Sequence, residues 1–275
     1  MLIPGWLNNR NYWDLPYGDG EYSYVRFANQ RGEATLALDR LGTGASWHPP
    51  SASLTYQTHV STIAQVVDAL HTGALAPGLT SIVLIGHSYG SRIAYGVAST
   101  TNAVDAVVAT SLRQNWISYL ALTASPVTTG VATQNPRFAD DDLDPGYVAT
   151  LPQWSGTGYN RDNADPNVIA VAEQTVQDVG STFEAPTARD ALPTQSAGIN
   201  IPVLIVVGSA DNLTCGPAAV DCPSAAEVAA RERGLFGPAA SVSATVVSGS
   251  GHALNLERTR HQAWNSIGEF VDKQG

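Results

Sequence analysis

Short apolar runs without polar alternation recur along the chain, and between them lie longer stretches whose apolar residues return every three or four positions. The runs read as strands buried on both faces and the longer stretches as amphipathic helices. Strands are predicted at 34–39 (ATLALD), 81–86 (SIVLIG), 103–110 (AVDAVVAT), 202–208 (PVLIVVG) and 241–249 (SVSATVVSG). Helices are predicted at 60–70, with Val60, Ile63, Val67 and Leu70 on one face, at 91–99, and at 225–234, where Gly234 stops the turn. Trp264, Ile267, Phe270 and Val271 give a last helix its apolar face. Strands that alternate with helices imply a mostly parallel sheet with right-handed crossovers, flanked by helices. Such sheets bind ligands at the carboxyl ends of their strands.

Residues 111–198 break this rhythm. They hold Trp116, Tyr119, Phe138, Tyr147, Trp154, Tyr159 and Phe183 among many Pro, Gly, Asp and Asn residues. One helix is well signalled there: Asp165 as N-cap, Pro166 in the first position, Ile169, Ala172, Val176 and Val179 on one face, and Gly180 at the end. The segment reads as an insertion between two core strands, either a cap over a pocket or a peripheral subdomain. The expected division is a core of residues 1–110 and 199–275 with a cap at 111–198.

A chain of 275 residues with 44% hydrophobic and 14% charged residues can bury a large core. The formal net charge of −10 disfavours nucleic acid as a partner. No apolar run reaches the roughly 18 residues that span a bilayer. The opening MLIPGWLNNRNYW lacks the basic and long apolar regions of a signal peptide, so the chain as written is expected in the cytoplasm, and secretion is the expectation if a segment precedes it. Oligomeric state is left open. Cys215 and Cys222 read either as free thiols or as a disulfide suited to an oxidising compartment.

Chemistry first shows at Gly86-His87-Ser88-Tyr89-Gly90, which joins a predicted strand to a predicted helix. A serine on so sharp a turn lifts its Oγ clear of the sheet, and the flanking glycines let strand and helix approach. The helix that follows aims its positive end at the site. A serine needs a base to take its proton. His59 and His71 fall in the helix before this strand, His87 in the turn itself, His48 in a Pro-rich loop and His261 in the last helix. His252, in a glycine-rich loop after the strand at 241–249, is the position able to reach Ser88. The base needs an orienting carboxylate. The strand at 103–110 ends without an acid, whereas Asp211 lies three residues past Gly208. Asp39 and Arg40 read as an ion pair or loop brace. Asp140, Asp141, Asp142 and Asp144 read as a solvated face.

At GHSYG, VVGSADN and GSGHALN, in the order Ser88, Asp211, His252, the sequence resembles the α/β-hydrolase family, and LALDRLGTGASWHP resembles the loop after an early core strand in that family. The resemblance implies the α/β-hydrolase fold, with N-terminal strands short or missing and a helical or loop cap. It implies an oxyanion hole of two backbone N–H groups, that of Tyr89 and that of Trp6, with Leu7 the other option. Pro4-Gly5-Trp6-Leu7 stands where the family often has His-Gly.

The implied activity is hydrolysis of an ester, lactone or thioester of an apolar small molecule through an acyl-enzyme, with no metal or organic cofactor. A ligand-binding, receptor-like protein on the same scaffold is the alternative, as is a biosynthetic thioesterase or acyltransferase. Serine rather than aspartate at the turn argues against epoxide hydrolysis and dehalogenation.

Overall fold

A computed structural model describes residues 1–114, 129–152, 156, 158–190, 196–215 and 221–275. Trp116, Tyr119 and Trp154 therefore lie outside the described residues. In chain order the elements are β1 (Leu2–Ile3), α1 (Tyr24–Gln30), α2 (Tyr56–His71), β2 (Val83–His87), α3 (Tyr89–Ala98), β3 (Ala106–Thr110), β4 (Thr129–Val131), β5 (Tyr147–Thr150), α4 (Pro166–Thr175), β6 (Gly180–Ser181), α5 (Glu184–Asp190), β7 (Val203–Gly208), α6 (Ala225–Arg233), β8 (Val242–Val247) and α7 (Arg260–Val271).

The five strands β1–β2–β3–β7–β8, in that spatial order, form one parallel sheet. Successive side chains of a strand point to opposite faces, and here each face meets its own core. Val107, Ala109, Ile205 and Val207 pack with α2 and α3 residues such as Ile63, Val67, Ile93 and Val97. Val108, Leu204 and Val206 pack on the other face with Tyr24, Val168, Trp264 and Ile267. Burying each such aliphatic side chain contributes roughly 1.5–3 kcal/mol. Both faces of β2, β3 and β7 are covered throughout, which is why their sequences are apolar without alternation. β8 is an edge strand and only half-buried.

The strand expected at 34–39 does not form. Ala37 makes a single parallel bridge to Leu2, with Leu2 N donating to Leu36 O and Leu38 N to Leu2 O. β1 has only two residues, so it offers its outer neighbour too little edge for a ladder. The sheet is thus short on its N-terminal side, as the sequence suggests.

Between β3 and β7 lies a second, antiparallel sheet of three strands, β4–β5–β6, which the sequence pattern does not announce. It covers a small core of Leu54, Ala132, Phe138, Tyr147, Ala149 and Val179. Asp165 caps α4 and Pro166 opens it as expected, but the helix stops at Thr175 rather than running to Gly180. The cause is tertiary: Asn9 N donates to Val176 O, Asp178 N donates to Leu7 O, and Gln177 bridges Asn8. Among the described residues no helix is long and apolar enough to cross a membrane.

Candidate active site

Ser88 sits between β2 and α3 with φ 51° and ψ −116°, a region that costs a non-glycine residue roughly 1–3 kcal/mol. Its neighbours explain how the turn closes. A Cβ on Gly86 would fall 2.4 Å from Gly90 O and from Ser91 Cα, and one on Gly90 would fall 2.3 Å from Ile3 O. These obstacles are backbone atoms that cannot step aside. Ser88 N donates to Thr110 O at 2.8 Å, which ties the turn to the end of β3.

His252 follows β8 on a loop that crosses the end of β7. Gly208 makes the crossing possible, since a Cβ there would lie 2.1 Å from Ser250 O. Glu257, fully buried, accepts from Gly251 N at 2.8 Å, Asn160 N at 2.8 Å and Asn163 Nδ2 at 2.9 Å, and so fastens the loop to residues 158–164. Ser111 Oγ donates to His252 O at 2.7 Å.

Asp211 lies just past β7 and is wholly buried. Its Oδ1 accepts from Leu213 N at 2.9 Å and its Oδ2 from Thr214 Oγ1 at 2.6 Å. The same Oδ2 stands 2.9 Å from His252 Nδ1. A carboxylate oxygen accepts here and Nδ1 donates, so in the neutral ring Nε2 is the nitrogen with the free lone pair. The carboxylate fixes the tautomer a general base requires.

The structure thus joins His252 to Asp211 directly and brings His252 beside the Ser88 turn. The rings of His87 and His252 lie 5.0 Å apart. Among the described residues no hydrogen bond joins Ser88 Oγ to His252; such links often tighten only with substrate present. Burial, and secondarily the nearby His252, push the His87 pKa well below its ordinary value. His87 also stacks on Tyr12 at 4.0 Å and faces Thr110 Oγ1 at 3.3 Å from Nδ1. It is a neutral neighbour to His252.

Tyr89 opens α3, where the helix dipole is positive. Trp6 and Leu7 lie in a turn closed by Asn8 N donating to Gly5 O at 3.3 Å, with Leu7 at φ 58°. A Cβ on Gly5 would meet His87 Cδ2 at 3.0 Å, so this turn rests against the serine turn. The Trp6 indole Nε1 donates to Glu184 Oε2 at 2.9 Å.

Other sequence readings find their places. Asp39 and Arg40 do not pair with each other: Asp39 pairs with Arg10 and braces its loop through Ala45 N, and Arg40 pairs with Glu184. Asp140, Asp141 and Asp142 are exposed, while Asp144 accepts from Ser51 N, Ser51 Oγ and Gly146 N. Cys215 and Cys222 form a disulfide. Cys215 N donates to Asp211 O at 2.6 Å, so the disulfide closes on the acid's own turn. Thr214, Glu257 and Glu184 escaped the sequence reading. Their partners are distant or unmarked, and only Thr214, three residues after an acid, carries a local hint.

A model described as the alpha/beta hydrolase family matches residues 1–263. No curated protein sequence matches the chain. Among solved structures, a monoacylglycerol lipase of Paleococcus ferrophilus is similar at 17% identity and a TM-score of 0.65, over 100% of this chain and 93% of that one. Methylketone synthase I of tomato, complexed with 2-tridecanone, is similar at 14% identity and a TM-score of 0.66, over 100% and 97%. A methylesterase from Arabidopsis is similar at 12% identity and a TM-score of 0.64, over 98% and 97%.

Proposed function

The chain belongs to the alpha/beta hydrolase family, and from that premise we propose that it hydrolyses a carboxylic ester-type bond of an apolar small molecule through an acyl-enzyme. Ser88 Oγ attacks the carbonyl carbon while His252 Nε2 takes its proton. Asp211 holds the imidazole and stabilises the imidazolium that forms. The N–H groups of Tyr89 and Trp6 receive the developing oxyanion. His252 then gives its proton to the leaving group, and water, activated in turn by His252, releases the acid.

The observation that carries this reading is the 2.9 Å contact between His252 Nδ1 and Asp211 Oδ2 beside a serine at φ 51°. The lipase and the methylesterase among the similar structures favour an ester bond. The fold alone does not choose between ester, lactone and thioester. In this reading residues 111–198 act as the cap. Two contacts support that role: Ala253 N donates to Gly158 O at 3.0 Å, and a Cβ on Gly158 would lie 3.9 Å from His252 Cβ. The Cys215–Cys222 disulfide favours an oxidising compartment over the cytoplasm.

Pre-steady-state mixing with p-nitrophenyl butyrate tests the mechanism. A burst of p-nitrophenolate stoichiometric with enzyme, lost in His252→Ala along with roughly four or more orders of magnitude in kcat, agrees with an acyl-enzyme. Equal slow release by wild type and variant would contradict it.

A further inference from the structure

Behind the turn at Gly5–Leu7 lies a buried charged cluster that the catalytic steps above do not use. Arg40, His59 and Glu184 are each at most 1% exposed. Arg40 Nη1 lies 2.7 Å from Glu184 Oε1, and His59 Nε2 also lies 2.7 Å from that oxygen. Burial lowers the His59 pKa, so its ring is neutral near pH 7. With Nε2 donating to the carboxylate, Nδ1 is left as a bare lone pair, and it has no hydrogen-bond partner among the described residues. Arg40 and Glu184 thus remain the two charges of the cluster.

A buried ion pair costs several kcal/mol in desolvation per ion, and its mutual attraction is weak evidence of a stabilising role. What distinguishes this pair is where its remaining hydrogen bonds go. Arg40 Nη2 donates to Gly5 O at 2.9 Å. Glu184 Oε2 accepts from Trp6 Nε1 at 2.9 Å and from Ser181 N at 2.6 Å. Gly5 O and Trp6 N belong to one peptide unit. In a trans peptide the C=O and the N–H point in opposite directions. Holding Gly5 O toward the buried guanidinium therefore turns the Trp6 N–H away from it. A charged donor on the carbonyl also polarises the peptide and strengthens its N–H as a donor.

Neighbouring positions are shaped for the same arrangement. Gly180 admits the indole, since a Cβ there would lie 2.4 Å from Trp6 Nε1. The Arg40 guanidinium lies 5.3 Å from the centre of the Tyr89 ring, and the His59 ring meets Tyr89 edge-on at 5.9 Å. The cluster therefore touches the residues of both oxyanion donors.

We propose that Arg40 and Glu184 are positioning residues that fix the Gly5–Trp6 peptide so that the Trp6 N–H faces the oxyanion. This rests on the serine-hydrolase reading. It also makes the segment between β3 and β7, which supplies Glu184, a working part of the oxyanion hole rather than a cover alone.

The test is steady-state turnover of p-nitrophenyl butyrate by wild type, Glu184→Gln, Arg40→Met, their double variant and Trp6→Phe, with amide hydrogen exchange of residues 4–9 measured alongside. Trp6→Phe leaves the ion pair intact and removes the indole N–H together with part of the ring, so it stays informative if the charge variants fold poorly. The expected result is a fall in kcat of roughly a hundredfold to a thousandfold for Glu184→Gln and Arg40→Met, the range of a lost oxyanion donor. KM should stay within about threefold, the double variant should be no worse than the weaker single, and residues 4–9 should exchange faster. Trp6→Phe should lose kcat in the same direction. Lowered melting temperatures with kcat per folded molecule unchanged, or additive losses in the double variant, would overturn the proposal. If wild-type Ser88 fails to react with a fluorophosphonate, the hydrolase reading falls instead. Exchange then decides the brace: faster exchange of residues 4–9 in Glu184→Gln keeps it, and unchanged exchange ends it.

Discussion

His252 and Asp211 meet Nδ1 to Oδ2 at 2.9 Å, and Thr214 Oγ1 donates to that same carboxylate oxygen at 2.6 Å. The acid thus receives the histidine in an orientation already set by its own loop. Asp211→Asn keeps the shape but offers an amide that lets the ring adopt the other tautomer. Its expected cost is roughly four orders of magnitude in kcat. Thr214→Val frees Oδ2 to rotate and is expected to cost about tenfold, the effect of one lost orienting hydrogen bond of about 1.4 kcal/mol. Initial rates on p-nitrophenyl butyrate measure both, and a Thr214→Val enzyme as impaired as Asp211→Asn would show that the loop, not the carboxylate, governs.

Strain at Ser88 predicts a trade between stability and activity. Ser88→Gly removes both the hydroxyl and the Cβ that makes φ 51° costly. It should raise the unfolding free energy by about 1 kcal/mol, a few degrees in Tm, while abolishing turnover. The glycines beside it predict the opposite. Gly86→Ala and Gly90→Ala place a Cβ within 2.4 Å of backbone atoms and are expected to cost more than about 3 kcal/mol or to prevent folding. Thermal melts rank the three variants, and an unperturbed Gly90→Ala would contradict the close approach of α3 to β1.

Much of this site is legible in the sequence, for identifiable reasons. β2, β3 and β7 are covered on both faces, so their sequences carry a strong uniform apolar signal, and the residues just past their ends follow by counting. Asp211 is legible in that way, just past β7, whereas His252 follows the half-buried edge strand β8 and is marked instead by its glycine-rich loop. Arg40 and Glu184 are not legible, because the pair spans 144 positions and neither residue has a local marker. The stop of α4 at Thr175 is equally hidden, since helical spacing continues through Val179 and only the backbone of Leu7–Asn9, arriving from elsewhere, ends it. The stretch at 34–39 has strand composition, but strand formation depends on the length of β1 beside it.

Acid stability reports on Glu184. Burial by itself would raise its pKa, but the Arg40 charge, the His59 contact and the Ser181 N–H outweigh that and lower it from 4.5 to about 2. A carboxylate with a depressed folded-state pKa stabilises the fold fully above its unfolded value and loses that contribution as pH falls toward the folded one. The stability lost by Glu184→Gln should therefore be largest near neutral pH and shrink between about pH 4.5 and 2. Urea midpoints of wild type and variant at pH 6 and pH 3 read it directly. A gap that widens in acid would reverse the sign.

The disulfide predicts sensitivity to reductant. A link between Cys215 and Cys222 closes a short loop, for which chain entropy gives about 2 kcal/mol. Because Cys215 N donates to Asp211 O, reduction should also loosen the acid. Melting with and without a phosphine reductant should show a lower Tm and a lower kcat together, and Cys222→Ser should reproduce both without reductant. Full activity after verified reduction would separate the disulfide from the acid loop.

Whether Ser88 is an activated nucleophile is tested most directly by intact-mass analysis after treatment with a fluorophosphonate. One phosphonyl adduct per wild-type chain, none on Ser88→Ala and a greatly slowed reaction on His252→Ala is the predicted result. A folded wild-type chain that stays unmodified, or a Ser88→Ala chain that still gains the adduct, would contradict the account.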